Sequence, residues 1–130
     1  MHEASIAQNL LEIALGKARD HKAKKITVIR VKVGELAGVN KASLEFAFEN
    51  FRQGTIAEKA SLQIISSPLL GQCRKCDEVF EIKKDRFKCA KCDSSEIDII
   101  SGQDLYIQDI DIEWNFFKNK YKNTCKTKVR

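Results

Sequence analysis

Four of the five cysteines in this 130-residue chain fall in one stretch, "CRKCDEVFEIKKDRFKCAKC". Cys73, Cys76, Cys89 and Cys92 form two C-x2-C pairs separated by 12 residues. Two cysteines three apart can turn both sulfurs toward one point. A short hairpin joining two such pairs brings four thiolates to tetrahedral separation, the arrangement that Zn²⁺ prefers. Protein atoms then fill every position, leaving none for water or substrate, so the ion is expected to be structural. The hairpin has too little core to fold alone, and metal binding would supply on the order of 10 kcal/mol. Arg74, Lys75 and Lys91 are placed to offset the double negative charge of a zinc tetrathiolate. Two alternatives use the same residues. A pair of disulfides would suit an exported protein, and a four-cysteine iron site has the same ligands, although zinc is the commoner occupant of such hairpins. The fifth cysteine, Cys125, lies in a basic stretch without a partner and is read as a reduced thiol.

The second chemical feature is the opening "MHEASIAQNLLEI". The initiator methionine is expected to remain, because the residue after it is large. The amine of Met1 and the amide nitrogen of His2 can close a five-membered chelate ring, and the imidazole Nδ1 a six-membered one. With the amide deprotonated this is three nitrogens in a plane, a set suited to nickel(II) or copper(II) and not required by zinc. Taken alone, the same letters describe an exposed polar residue near a helix N-terminus, which is the commoner case. His21, the other histidine, reads as a cation at a helix C-terminus.

Both features need elements to hold them. In residues 3–20, Ile6, Leu10, Ile13/Ala14 and Ala18 recur at helical spacing. "KKITVIRVKVGEL" then alternates, Ile29, Val31 and Val33 opposing Arg30 and Lys32, a half-buried strand ending at Gly34. A second helix follows with Leu44, Ala47, Phe48 and Phe51 on one face, Asn40 as its N-cap and Gly54 as its C′ residue. The strand "ASLQIISS" stops at Pro68, the only proline. After the cysteine segment, "DLYIQDIDIEW" alternates with Tyr106, Ile110, Ile112 and Trp114 on one face. Leu105 and Ile107 have the opposite parity, which predicts a bulge near Gln108. The expected fold is α+β: a small three-stranded sheet packed by two helices, with an inserted four-cysteine, zinc-ribbon-like subdomain. The expected domains are 1–68 plus 103–114, then 69–102, and a basic, disordered tail at 115–130.

Charge excludes more than it suggests. The net +5 comes from the tail, which carries six basic residues and no acid, so the rest of the chain is at −1. Between Cys73 and Cys92 there are seven basic and four acidic residues, and a tetrathiolate zinc reduces that surplus to about +1. That is a thin footprint for phosphate. Phe80 and Phe87 could stack on bases, but hairpin packing explains them more simply. A zinc-ribbon module that binds nucleic acid or another protein is therefore the alternative reading, not the main one. No histidine stands in the cysteine segment to activate a thiol, so an enzyme is not expected. The chain lacks an apolar run of bilayer length and an export signal, which points to the cytoplasm.

Taken together, the opening Met-His-Glu with Ser5 and Ile6, "VGEL", "FAFENFR" and the two C-x2-C pairs resemble the HypA/HybF family over residues 1–114. That resemblance implies a nickel metallochaperone for [NiFe]-hydrogenase maturation, and in some organisms for urease. It implies a nickel-binding α/β domain and a separate structural zinc domain, with Cys73, Cys76, Cys89 and Cys92 as zinc ligands. His2 would be the principal nickel ligand, with Met1 (through its amine) and the backbone around His2 and Glu3 as companions. The partners implied are the GTPase HypB, the hydrogenase large-subunit precursor and, where urease is served, urease accessory proteins. The functional form would be a monomer or a homodimer. Two departures stand out. Asn40 occupies a position where some members have an acid. Asp77, Glu78 and Asp93 stand where some members have histidines after the cysteine pairs, so no histidine-based switch of the zinc site is expected.

Overall fold

The computed structural model describes residues 3–83 and 86–114, together with the backbone of 123–128. In chain order the elements are helix α1 (Glu3–Asp20), strand β1 (Lys25–Gly34), a short 3-10 turn (Glu35–Ala37), helix α2 (Lys41–Phe51), and strands β2 (Ser61–Ser67), β3 (Leu70–Cys73), β4 (Val79–Glu81), β5 (Ile97–Ser101), β6 (Leu105–Trp114) and β7 (Asn123–Lys128). The strands form two sheets, in the orders β2-β1-β6-β7 and β4-β3-β5. The chain divides into two compact units. The first is Met1–Lys32, Val39–Ile65 and Tyr106–Arg130, and the second is Val33–Gly38 with Ser66–Leu105. No helix among the described residues is long and apolar enough to cross a membrane.

In the first unit the core joins Ile26, Ile29 and Val31 of β1 and Ile107, Ile110 and Ile112 of β6 with the buried faces of both helices. The α1 face keeps Leu10, Ala14 and Ala18 of the expected set. Ala7, Leu10, Leu11, Ala14 and Ala18 are buried, whereas Ile13 is 46% exposed. α1 packs on α2, and Ala7, which a search for large aliphatics passes over, is buried with the rest of the face. On α2, Leu44, Ala47 and Phe48 are buried as expected, whereas Phe51, expected on the same face, is exposed at the end of the helix. Asn40 caps the helix, its side-chain oxygen accepting from Ser43 N at 2.9 Å. The helix ends one residue earlier than Gly54 at C′ would require: Arg52 is the C-cap, and Gly54 takes its positive φ of 76° beyond it.

Two polar ties cross this unit. Arg30 donates from Nη1 to Asp109 Oδ1 at 2.6 Å and from Nη2 to Asp111 Oδ2 at 3.0 Å. Trp114 donates its indole N–H to the carbonyl of His21 at 2.6 Å, which fixes the end of β6 to the turn after α1. Asp109 and Ile110 are adjacent and both buried, so the burial parity of β6 changes there, one residue past the expected position.

The three-stranded sheet of the sequence reading has a fourth strand. Asn123–Lys128, expected to lie in a disordered tail, pairs antiparallel with β6 from Asp109↔Lys128 to Trp114↔Asn123. β6 offers a row of backbone donors and acceptors, and "NTCKTK" holds two β-favouring threonines and no proline. The run of lysines that suggested solvation is also the composition of a protected edge strand.

The second unit begins where "VGEL" ends β1. Gly34 N–H donates to Asp104 O at 2.7 Å and Leu36 N–H to Gly102 O at 2.8 Å. A Cβ on Gly34 would fall 2.1 Å from the Gly102 carbonyl oxygen, so only glycine permits this crossing. Beside it Ser67, 1% exposed, donates to Asp104 Oδ2 at 2.6 Å. The small sheet continues with Leu70↔Glu81 to Gln72↔Val79 on one side of β3 and Cys73↔Ile97 on the other.

Candidate metal centre

Each C-x2-C pair occupies a turn with the same hydrogen-bond frame. In the first, which closes the β3–β4 hairpin, Asp77 N–H donates to Cys73 O at 2.9 Å and Cys73 N–H to Glu78 O at 3.0 Å. In the second, Asp93 N–H donates to Cys89 O at 3.0 Å and Cys89 N–H to Ser94 O at 2.8 Å. Asp77 and Asp93, each just past the second cysteine, hold positive φ values of 62° and 64°. Aspartate is among the few residues that accept this left-handed conformation. The chain therefore places matching residues at matching points of two turns 16 positions apart, a signal present in the sequence that the spacing of cysteines alone does not convey.

The frame brings the four sulfurs together. All lie within 4.8 Å of one another. Cys73 Sγ is 3.5 Å from Cys92 Sγ, and Cys76 Sγ is 3.5 Å from Cys89 Sγ. A zinc–sulfur bond of about 2.3 Å places tetrahedral sulfurs about 3.8 Å apart, so the cluster fits that ion with small adjustment. The four thiols are not joined in disulfides. Cys73 and Cys89 are buried and Cys92 is exposed.

Backbone amides prepare part of the set for a cation. The N–H groups of Cys92 and Lys91 both point at Cys89 Sγ, at 3.4 Å. They hold its thiol down at about 6, with help from the neighbouring thiols of Cys76 and Cys92. Cys73 is lowered likewise, first by the Cys76 amide and then by that of Lys75. For Cys76 the Glu78 amide favours the thiolate, but burial and the thiols of Cys89, Cys92 and Cys73 push it up to about 12. Cys92 is raised as well, against the Ser94 amide, by the Cys73 thiol and burial. One sulfur of each pair thus favours the anion and the other retains its proton until a metal arrives.

The expected charge compensation is arranged differently. Arg74 donates from Nε to Asp98 Oδ1 at 2.8 Å, with Nη2 at 2.7 Å from the same oxygen. Lys91 Nζ lies 3.9 Å from Glu78 Oε2, and Arg86 Nη2 lies 2.8 Å from Asp93 Oδ1. Three cations of this segment thus face carboxylates, which further thins the footprint for nucleic acid considered above.

Of the proposed nickel residues, Met1 and His2 lie outside the described residues. Glu3 is the first residue of α1, and its Oε2 accepts from Asn40 N–H at 3.4 Å. The start of α1 is thereby set against the N-terminus of α2. His21 follows the last turn of α1, apart from any cysteine in sequence, and its carbonyl is held by Trp114.

An α+β fold with a four-cysteine cluster able to hold a metal ion, set in its own compact unit, describes a metal-binding protein. The family model described as "Hydrogenase/urease nickel incorporation, metallochaperone, hypA" matches residues 1–112. The chain belongs to the HypA family. It is 39% identical over 113 residues to hydrogenase maturation factor HypA of Aquifex aeolicus, covering 87% of this chain and 98% of that protein. Against the protein of the same name from Trichodesmium erythraeum it is 37% identical, covering 87% and 96%. The solution structure of the Ni metallochaperone HypA from Helicobacter pylori superposes with a TM-score of 0.62 at 28% identity, over 85% of this chain and 96% of that one. A second HypA solution structure gives a TM-score of 0.67 at 28% identity, over 86% and 96%.

Proposed function

We propose that this chain is a nickel carrier for [NiFe]-hydrogenase maturation, binding Ni²⁺ at its N-terminus and holding Zn²⁺ as a structural ion. The observation that carries the reading is membership of the HypA family along a match that begins at residue 1 and includes Met1, His2 and Glu3. The chemistry of the donors supports it. Cys73, Cys76, Cys89 and Cys92 would hold zinc, which supplies cross-linking free energy to a small unit and leaves no position for cargo. Nickel must then use other donors, and the chain has only His2 and His21 as imidazoles.

In this reading the Met1 amine, the His2 amide and imidazole, and the Glu3 backbone surround the ion. The Glu3 carboxylate faces Asn40 N–H, so Glu3 contributes through its main chain while its side chain positions the segment. Such a set excludes labile competitors by geometry and gives up one ligand at a time, so the ion passes to a partner by ligand exchange without catalytic turnover. The unit containing α1 and α2 would be the nickel domain, and Val33–Gly38 with Ser66–Leu105 the zinc domain. The partners in this reading are the GTPase HypB and the hydrogenase large-subunit precursor, with urease accessory proteins where urease is served. The setting is the cytoplasm, and no enzymatic step is assigned.

The test is calorimetry and X-ray absorption on the untagged protein, whose N-terminus is first verified by intact mass. His2→Ala is expected to abolish stoichiometric nickel binding while zinc content and helicity stay unchanged. Equal nickel affinity in both proteins, or a nickel spectrum of sulfur ligands alone, would refute the reading.

A further inference from the structure

The four thiols of the metal centre meet solvent unequally. Cys73 and Cys89 are buried, Cys76 is half-buried and Cys92 is exposed. Cys89 Sγ is covered further by the N–H groups of Lys91 and Cys92, both at 3.4 Å. A sulfur that accepts amide hydrogen bonds is also the poorer nucleophile. Cysteine oxidation follows exposure as well as thiolate character, so a small oxidant arriving from water reaches Cys92 first.

The neighbour of Cys92 decides which bond forms next. Cys73 Sγ, on the other turn, lies 3.5 Å from Cys92 Sγ, and Cys76 Sγ lies 3.5 Å from Cys89 Sγ, again across the turns. A disulfide needs about 2.05 Å, so each pair closes by a modest side-chain movement. The partners are 19 and 13 positions apart and nested in the chain, so both bonds can exist together. Two covalent links would then hold the turns to each other where the metal had held them.

We propose that the four-cysteine centre is a peroxide-responsive switch. Oxidation begins at Cys92, couples it to Cys73, then couples Cys76 to Cys89, and releases the metal while the turns stay tied. This rests on the reading of the cluster as a zinc site. In the first step the Cys92 thiolate attacks one oxygen of hydrogen peroxide. The O–O bond breaks, Cys92 becomes a sulfenic acid, and the departing hydroxide takes a proton to become water. The Cys73 thiolate then attacks the Cys92 sulfur, the S–S bond forms, and a second hydroxide leaves and is protonated. A second peroxide oxidises Cys76 and Cys89 in the same way. Four thiolates, two peroxides and four protons thus give two disulfides and four waters, and zinc leaves because its thiolate ligands are gone.

The test uses the zinc-loaded full chain with Cys125→Ser, which removes the fifth thiol. Hydrogen peroxide is added stepwise while a chromogenic chelator follows zinc and dimedone traps sulfenic acid. The dimedone label is expected at Cys92, and zinc release should be complete once the first disulfide has formed. Dithiothreitol with added zinc should restore the full metal content. Arg74 and Lys75 separate Cys73 from Cys76, and Lys91 separates Cys89 from Cys92. Trypsin therefore places the four cysteines on different peptides, and mass spectrometry without reduction reads the pairing as Cys73–Cys92 and Cys76–Cys89. Disulfides within the C-x2-C pairs, a label on another cysteine, or zinc retained where free cysteine is fully oxidised would each overturn the proposal. Pairing and labelling are repeated on the metal-free chain. A chain that holds no zinc but forms the cross-turn disulfides would sink the zinc reading, whereas a zinc-holding chain that pairs otherwise would sink the switch.

Discussion

The carboxylate of Glu3 accepts a hydrogen bond from the backbone amide of Asn40 at 3.4 Å, 37 residues away. The side chain of Asn40 meanwhile caps the same helix by accepting from Ser43 N–H at 2.9 Å. The first turn of α2 thus serves two acceptors, one of which ties down the beginning of α1. The two contributions are separable. Asn40→Ala should cost about 1 kcal/mol in urea unfolding, while Asn40→Asp, an equally good cap, should be nearly neutral. Glu3→Gln should cost under about 1 kcal/mol, because the bond is long and exposed. A Glu3→Gln loss larger than that of Asn40→Ala would contradict this division.

Zinc binding should release fewer protons at neutral pH than four thiols could supply. In the metal-free protein Cys89 titrates at about 6 and is mostly thiolate at pH 7, while Cys76, at about 12, is protonated. Cys73 is lowered and Cys92 raised. Calorimetry in buffers of different ionisation enthalpy should give roughly two to three protons at pH 7. The sign of the pH effect follows from Cys89. Its thiolate is favoured in the fold, and this contribution is complete above the ordinary thiol value and lost as pH falls through about 6. Proton release should therefore rise toward four at pH 5, with affinity falling in step. A pH-independent count of four would show that the amides around Cys89 do not hold its thiolate.

Two glycines should respond to alanine with opposite signs. Gly16 lies inside α1 and a Cβ there would meet nothing within 4 Å. Gly16→Ala should stabilise the protein by about 0.5–1 kcal/mol. At Gly34 the added atom would collide with the Gly102 backbone. Gly34→Ala should cost about 3 kcal/mol or more, read as a lower urea midpoint or loss of folded protein. A neutral Gly34→Ala would mean that the two segments can separate freely.

Arg30→Met should destabilise the first unit by about 2 kcal/mol, since the buried Asp109 and the half-buried Asp111 lose their shared guanidinium. Adding Asp109→Asn should recover part of that loss, giving a coupling of opposite sign in a double-mutant cycle. Additive losses would place the value of Arg30 in its packing, not its charge.

Local chemistry was readable from the letters, and contacts between distant segments were not. Each C-x2-C turn and the Asn40 cap depend on residues within a few positions of each other, and spacing specifies them. On α1 the expected Leu10, Ala14 and Ala18 are buried, but Ile13 was drawn in by its large apolar side chain and Ala7, which is buried, was passed over for its small one. The Gly34–Gly102 crossing joins segments 68 residues apart, and no periodicity in either one announces it. Strand β7 was hidden by its lysines, which read as solvated until the register sets them opposite Asp109 and Asp111. Arg74 was assigned to the sulfur cluster for its proximity in sequence, while Asp98, on a strand not adjacent in the chain, takes its charge.

The crossing of Gly34 over Gly102 also bears on the order of events during synthesis. Residues 33–38 leave the ribosome early, and the second unit is complete once Leu105 has emerged. The larger sheet cannot close at that moment, because β6 separates β1 from β7 and is still being extended. The cysteine-bearing unit can therefore mature on a nascent chain whose helices have yet to find their central strand, so metal availability during translation becomes a factor in yield. Starving cells of zinc in that interval should leave protein that later supplementation recovers poorly.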